Sequence, residues 1–136
     1  MFLYEYKMER GIAMDSRVES YFEDIKGKKI AFLGIGGSNL PLAKIFRQKG
    51  AIVFACDKRE KEQLGKTGEE LEQMGITLKL GEHYLEQLDV DMMFRTPGMR
   101  FHTKELEQAR EKGIVVTSEM EVFFDLCPCP IYAVTG

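Results

Sequence analysis

The sequence predicts an α/β fold, a doubly wound parallel sheet in strand order 3-2-1-4-5. Three observations predict it. Short apolar runs alternate regularly with helical patterns along the 136 residues, and the connections between them are short, as in chains of β/α units. The first run, Lys29–Leu33, passes through a glycine turn straight into a helix. A carboxylate, Asp57, follows the second run, 21 residues beyond Gly36, where nucleotide-binding folds of this class place an acid.

In chain order, Ser16-x-x-Glu19 predicts a cap for a helix from Val18 to about Ile25, with Gly27 as its stop. Lys29–Leu33 is short and, after its lysine, aliphatic and aromatic, as in a strand buried on both faces. Asn39 reads as the N-cap of a helix over 40–49, with Pro41 in its first turn, where a missing N–H costs nothing. Gly50 stops that helix and Ala51–Cys56 is the second strand. Residues 57–66 are charged and polar, a solvated loop or frayed helix. Thr67-x-x-Glu70 caps a short helix that ends before Gly75, and Ile76–Leu80 is a third strand of alternating exposure. After a connection over 81–88, Asp91–Arg95 is the fourth strand and Thr96-Pro97-Gly98 a turn. Thr103 caps a helix over 104–112 that Gly113 stops, and Ile114–Thr117 is the fifth strand. Ser118-x-x-Glu121 caps the last helix, Glu119–Leu126; Pro128 and Pro130 break the chain before a sixth strand, Ile131–Thr135.

Composition narrows the function classes. Hydrophobic content of 44% and charged content of 30% describe a globular chain long enough for a sizeable core. A net charge of −3 with interspersed signs leaves no basic footprint for nucleic acid. Apolar runs fall short of the roughly 18 residues of a membrane span, and Glu5, Lys7, Glu9 and Arg10 interrupt any signal-peptide core. Cys56, Cys127 and Cys129 lack metal spacing, and His83 and His102 lie far apart, so no metal site is predicted; reduced thiols in the cytoplasm are expected.

The candidate ligand groups fall beyond the carboxyl ends of the strands. Gly34, Gly36 and Gly37 form a turn without side chains, and the helix after it presents unpaired N–H groups and a positive dipole end to a phosphate. Ser38 adds a hydroxyl. Asp57 can accept from a ribose hydroxyl or a base N–H, Lys58 and Arg59 can cover a base or meet phosphate, and Gly98 allows close approach. Each has a plainer reading: a tight βα connection for the glycines, a loop-solvating or capping acid for Asp57, an ordinary turn for Thr96-Pro97-Gly98. The third glycine of G-x-G-x-x-G is replaced by Asn39, which argues against a tightly packed dinucleotide. Glu119 and Glu121 point to different sides of a helix, and Glu121 occupies the capping position, so the pair reads as structural. Ser, His and Cys do not cluster, and no nucleophile–base pair emerges.

The ensemble resembles the Mur ligases, nearest to their D-glutamate-adding members. The segments that carry the resemblance are Gly27-Lys28-Lys29 with the glycine turn, Cys56-Asp57-Lys58, Leu80-Gly81-Glu82, Phe94-Arg95-Thr96-Pro97-Gly98, Thr117–Phe124 and Ile131–Gly136. They cover residues 27–136 and are jointly more specific than any one alone. The resemblance implies a Rossmann-like domain over 27–117 that holds the UDP part of UDP-N-acetylmuramoyl-L-alanine. Gly36, Gly37, Ser38, Asn39, Thr96, Pro97 and Gly98 would face the diphosphate side, and Asp57, Lys58 and Arg59 the uracil and ribose. It further implies that 118–136 begins a central ATP-binding domain, truncated here, with Thr135 and Gly136 opening its phosphate loop. In such a ligase ATP and magnesium are the cofactors and D-glutamate the amine substrate. No catalytic residue is expected in this piece, which is expected to be inactive alone. Residues 1–26 have no counterpart in the pattern and are expected to be an added helix, or translation starts at Met8 or Met14. Two other readings stand beside this one. A NAD-sensing regulatory module calls for the missing third glycine, and a noncatalytic receiver-like domain calls for an acidic pair where Gly34-Ile35-Gly36 stands.

Overall fold

The computed structural model describes residues 12–100 and 102–126. Five of its segments pair into one parallel sheet: β1 (Lys29–Leu33), β2 (Ile52–Asp57), β3 (Thr77–Leu80), β4 (Met92–Arg95) and β5 (Val115–Thr117). The order is β3-β2-β1-β4-β5, as the sequence predicts. β1 is central, with Leu33 opposite Cys56 on one side and Arg95 on the other. The order reverses between β1 and β4, so a crevice opens beyond their carboxyl ends. The expected sixth strand, and Thr135 and Gly136 with it, lie outside the described residues.

Strand alternation divides the core. Ile30 and Phe32 of β1, Val53 and Ala55 of β2 and Phe94 of β4 face one side. Four helices cover that side: α1 (Ile12–Ile25), α2 (Asn39–Gln48), the helix Lys66–Gln73 through Leu71 and, after β5, α6 (Glu119–Leu126). Ala31, Leu33, Cys56 and Met93 face the other side, under α5 (Lys104–Glu111) and the connection carrying Leu88 and Val90. A strand buried on both faces needs the unbroken apolar run that β1 has. Helix α6 buries Val122 and Leu126 in the same cluster as Ile30 and Phe32. Phe46 of α2 is the hub of the first side: its ring meets those of Tyr21, Phe22, Phe32 and Phe94 edge-on, at centroid distances of 5.2 to 6.0 Å.

The predicted glycine stops hold. Gly27, Gly50, Gly75 and Gly113 all adopt positive φ at the ends of helices, the left-handed conformation that glycine takes without penalty. Caps are more mixed. Thr103 accepts from the Leu106 N–H at 3.3 Å, and Ser118 accepts from the Glu121 N–H at 3.3 Å. Ser16 does not start a helix, because α1 already begins at Ile12; Ala13 and Met14 are strong helix formers that carry it past the serine. Thr67 lies inside α4 (Lys66–Gln73), which Gly65, at φ +57°, separates from the single turn α3 (Lys61–Leu64). That turn is closed by a reciprocal box between Glu60 and Gln63.

Phe46→Ala should lower stability by about 3–5 kcal/mol, the cost of removing a fully buried aromatic ring, and should loosen α1 together with α2. Denaturant melts followed by circular dichroism check the first expectation, and amide exchange of residues 18–25 the second.

Candidate functional site at the sheet switch point

The predicted groups meet at one edge of the sheet. The glycine turn leaves β1, Asp57 closes β2, and Thr96-Pro97-Gly98 leaves β4. Gly34 is required by the protein itself. Its φ is +95°, its N–H donates to Cys56 O at 2.6 Å, and a Cβ there would lie 2.9 Å from the Thr96 methyl carbon. This contact presses the two turns together. Gly36, Gly37 and Gly98 differ: none has a left-handed φ, and a Cβ on any of them would meet nothing within 4 Å. Neither backbone conformation nor packing accounts for glycine at these three positions. Their lack of side chains leaves open surface beside the first turn of α2, where the Leu40 N–H is bonded to Gly36 O at 3.0 Å and Pro41 has no N–H to satisfy. Ser38 is the residue before that helix, and its side chain makes no capping bond.

Asn39 is not the N-cap the sequence suggests. It is the first residue of α2, it is 0% exposed, and its amide points inward. Nδ2 donates to Leu33 O and to Phe94 O, both at 3.2 Å. These carbonyls lie near the ends of β1 and β4, where the strands part, so one amide ties the two turns at their roots. Local spacing predicts a cap; the nearby pair of strand-end carbonyls offers the amide more than a helix N–H does. Asn39 therefore acts behind the ligand surface rather than on it.

Asp57 likewise turns toward the protein. It is 6% exposed, and both its oxygens are occupied. Oδ2 accepts from the Ile35 N–H (2.8 Å) and Arg59 Nη2 (3.0 Å); Oδ1 accepts from the Arg59 N–H (2.8 Å) and Arg59 Nε (3.0 Å). Arg59 Nη2 also donates to Ile35 O at 2.8 Å. The Asp57–Arg59 pair thus grips the middle of the glycine turn by both its N–H and its carbonyl. Four donors fill the capacity of a carboxylate, so a ribose hydroxyl or base N–H reaching Asp57 has to share or displace Arg59. Burial pushes the Asp57 carboxyl up, but the bonds from Arg59 and Ile35 outweigh it and hold the group below its usual range. The same pair raises Arg59 further. Half of the Arg59 side chain, at 47% exposure, and all of Lys58 remain at the surface. Cys56, beside this network, is buried, and burial raises its thiol to about 12, which leaves it inert at neutral pH.

Two groups near the crevice were not singled out as site residues by sequence reasoning. Arg95 Nη2 reaches Glu121 Oε2 at 3.4 Å, and Ser118 Oγ donates to the same oxygen at 2.8 Å. The serine–glutamate box is visible in the sequence; its tie to β4 is not. Among the described residues no group of three or more His, Cys, Asp and Glu could hold a metal ion, and no helix is long and apolar enough to cross a membrane.

Residues 28–118 match the family model described as the N-terminal domain of MurD-like Mur ligases. The chain belongs to the Mur ligase family. It is 45% identical over 124 residues to the UDP-N-acetylmuramoylalanine--D-glutamate ligase of Clostridium botulinum, and 47% identical over 124 residues to that of Acetivibrio thermocellus. Each match covers 90% of this chain and 27% of the relative, so the chain spans about a quarter of the length of these curated Mur ligases. The match is longer than residues 27–136 and so takes in part of the first 26, which corrects the expectation that they lack a counterpart. Among solved structures, the UDP-N-acetylmuramate-alanine ligase of Thermotoga maritima, another Mur ligase, superposes with a TM-score of 0.57 at 26% identity, over 72% of this chain and 22% of that one. Shikimate dehydrogenase of Aquifex aeolicus shares the fold alone, with a TM-score of 0.54 at 16% identity over 87% and 56% of the two chains.

Two expected outcomes follow from the geometry. Asn39→Gly, which restores the third glycine, should cost about 2–3 kcal/mol, since each of two buried hydrogen bonds is worth about 1 kcal/mol and a cavity adds to them; urea melts measure this. Asp57→Asn should cost about 1.5–3 kcal/mol near neutral pH, the worth of bonds to a charged group. Because the folded carboxyl lies below its unfolded value, its contribution is present above the usual carboxylate range and lost as pH falls through the folded value. The stability gap between wild type and Asp57→Asn should therefore close on acidification, as read by melts at neutral pH and at successively lower pH.

Proposed function

We propose that this chain is the UDP-substrate-binding part of a UDP-N-acetylmuramoylalanine--D-glutamate ligase. The parent enzyme would add D-glutamate to UDP-N-acetylmuramoyl-L-alanine in the cytoplasm, with ATP hydrolysis, during peptidoglycan biosynthesis. The observation that carries the reading is the open glycine surface at Gly36, Gly37 and Gly98, which internal packing leaves unexplained. A diphosphate fits such a surface. The N–H groups of Gly36, Gly37, Ser38 and Asn39 would donate to its oxygens, since those of Gly34, Ile35 and Leu40 are bonded to Cys56 O, Asp57 Oδ2 and Gly36 O and Pro41 has none; the helix dipole favours its charge. Ser38 offers a further donor, and the exposed parts of Lys58 and Arg59 lie on the side where uracil and ribose would rest. Thr96 and Pro97 would wall the diphosphate opposite the glycine turn. The names of the curated relatives support the substrate and the amine.

The parent reaction requires ATP and magnesium to activate the substrate carboxylate. The described residues supply no donor set for magnesium, and Thr135 and Gly136, proposed as the start of the ATP loop, lie outside them. This piece would bind and orient the nucleotide end of the substrate and exclude water from the crevice; proton and phosphoryl transfer belong to the ATP-binding part, which we place from residue 118 onward. The 136-residue chain alone should release no phosphate from ATP, which a phosphate-release assay against a mock preparation checks.

Ligand-observed NMR with UDP and with NAD tests the site. With contacts from other parts of the enzyme missing, UDP should bind near the millimolar range, roughly −4 kcal/mol, and NAD more weakly. NAD binding clearly tighter than UDP would overturn the reading.

A further inference from the structure

The turn Thr96-Pro97-Gly98 is held at its two ends by different parts of the molecule. On one side Thr96 packs on Gly34, and Met99 N–H closes the turn on Thr96 O at 3.1 Å. On the other, Arg95, the last residue of β4, leaves the turn's root toward the first turn of α6. There its Nη2 meets Glu121 Oε2 at 3.4 Å, and that oxygen also accepts from Ser118 Oγ at 2.8 Å. The Glu121 N–H returns to Ser118 Oγ at 3.3 Å, closing the cap. Arg95 is 17% exposed at its side chain and Glu121 44%, so the pair is partly shielded from water. Glu121 is in place for the helix start regardless: the cap holds it, and the positive end of the helix dipole favours it. The arginine therefore joins two rigid bodies, the root of the turn and the capped end of α6.

We propose that Arg95 and Glu121 are positioning residues that couple the Thr96–Gly98 turn to α6, so that occupancy of the nucleotide site and order in α6 reinforce one another. The proposal rests on the assignment of the turn to a UDP site. Helix α6 is the last described element, and through Val122 and Leu126 it is seated on the first side of the core. Diphosphate that holds the turn in place also holds Arg95 at its root, and Arg95 holds the carboxylate paired with the Ser118 cap of α6. Coupling of this kind is reciprocal: whatever factor α6 order adds to binding, binding adds to α6 order.

The test uses the 136-residue chain and has two arms. Without ligand, Glu121→Gln should move the amide resonances of Thr96, Gly98 and Met99, which lie more than 20 residues away in sequence. Glu119→Gln, in the same helix turn and outside the network, should leave them in place. Unchanged resonances in Glu121→Gln, or equal changes in both variants, overturn the link. In the second arm UDP is titrated into wild type, Glu121→Gln and Arg95→Lys, with amide exchange of residues 122–126 as a parallel readout. Glu121→Gln should bind UDP about three- to fivefold more weakly, the scale of a partly exposed ion pair, and Arg95→Lys, which keeps the charge, should recover most of the affinity. UDP should slow exchange in α6 of wild type and cease to do so in Glu121→Gln. UDP affinity equal in all three forms overturns the coupling and leaves the site standing; no UDP binding by wild type overturns the site and the coupling with it.

Discussion

One buried amide sets the geometry on which the rest of the crevice depends. A doubly wound sheet parts its central strands at their carboxyl ends, and the carbonyls there stand just where the chain turns away. Such groups are costly to bury unpaired. Asn39 satisfies two of them, Leu33 O and Phe94 O, from the first position of α2. The price is a side chain where dinucleotide folds keep a glycine for close helix–strand packing. In return, the distance between the turn after β1 and the turn after β4 is set by a rigid planar group.

A second clamp works from the end of β2. Asp57 and Arg59 take hold of Ile35 by its N–H and its carbonyl, so the glycine turn is fixed in its middle from β2 and at its root from β4. Gly36 and Gly37 then stand in a frame held at both ends. That arrangement suits phosphate recognition, in which backbone donors must be aimed before the ligand arrives; ordering them on binding would consume much of the interaction. Asp57 is in this light part of the frame, and its arginine partner keeps an exposed outer face.

Local chemistry in the sequence was sufficient for most of the fold. The limits of β1 are legible because four consecutive apolar residues, Ile30–Leu33, stand between the lysines at 28 and 29 and Gly34, and the remaining strands differ by a residue at their starts or ends. Helix stops were legible because positive φ singles out glycine. Helix starts were less so: Ser16 and Thr67 match the capping pattern but sit inside helices, since neighbouring helix formers or a broken turn decide the boundary. The inward turn of Asn39 and the reach of Arg95 to Glu121 were not legible at all. Their partners lie 55 and 26 residues away, and nothing in the local pattern announces them. The gathering of three turns at one edge followed from the strand order alone.

The aromatic hub under α2 has a consequence for how this chain comes to be folded. Phe46 and Phe94 join rings from α1, α2, β1 and β4, and α6 adds Val122 and Leu126 to the same side. The first helix of the described chain and the last therefore close one surface together. During synthesis β1, α2, β2 and β3 emerge with β1 lacking a neighbour on one side and with rings exposed that only later residues cover. Pairings this distant in sequence form slowly, and apolar strands exposed in the interval are open to mispairing. The half-built sheet must wait for β4 to arrive beside β1, and its aromatic side must wait for α6. On the ribosome, the aromatic side of this sheet stays partly uncovered until α6 is clear of the exit.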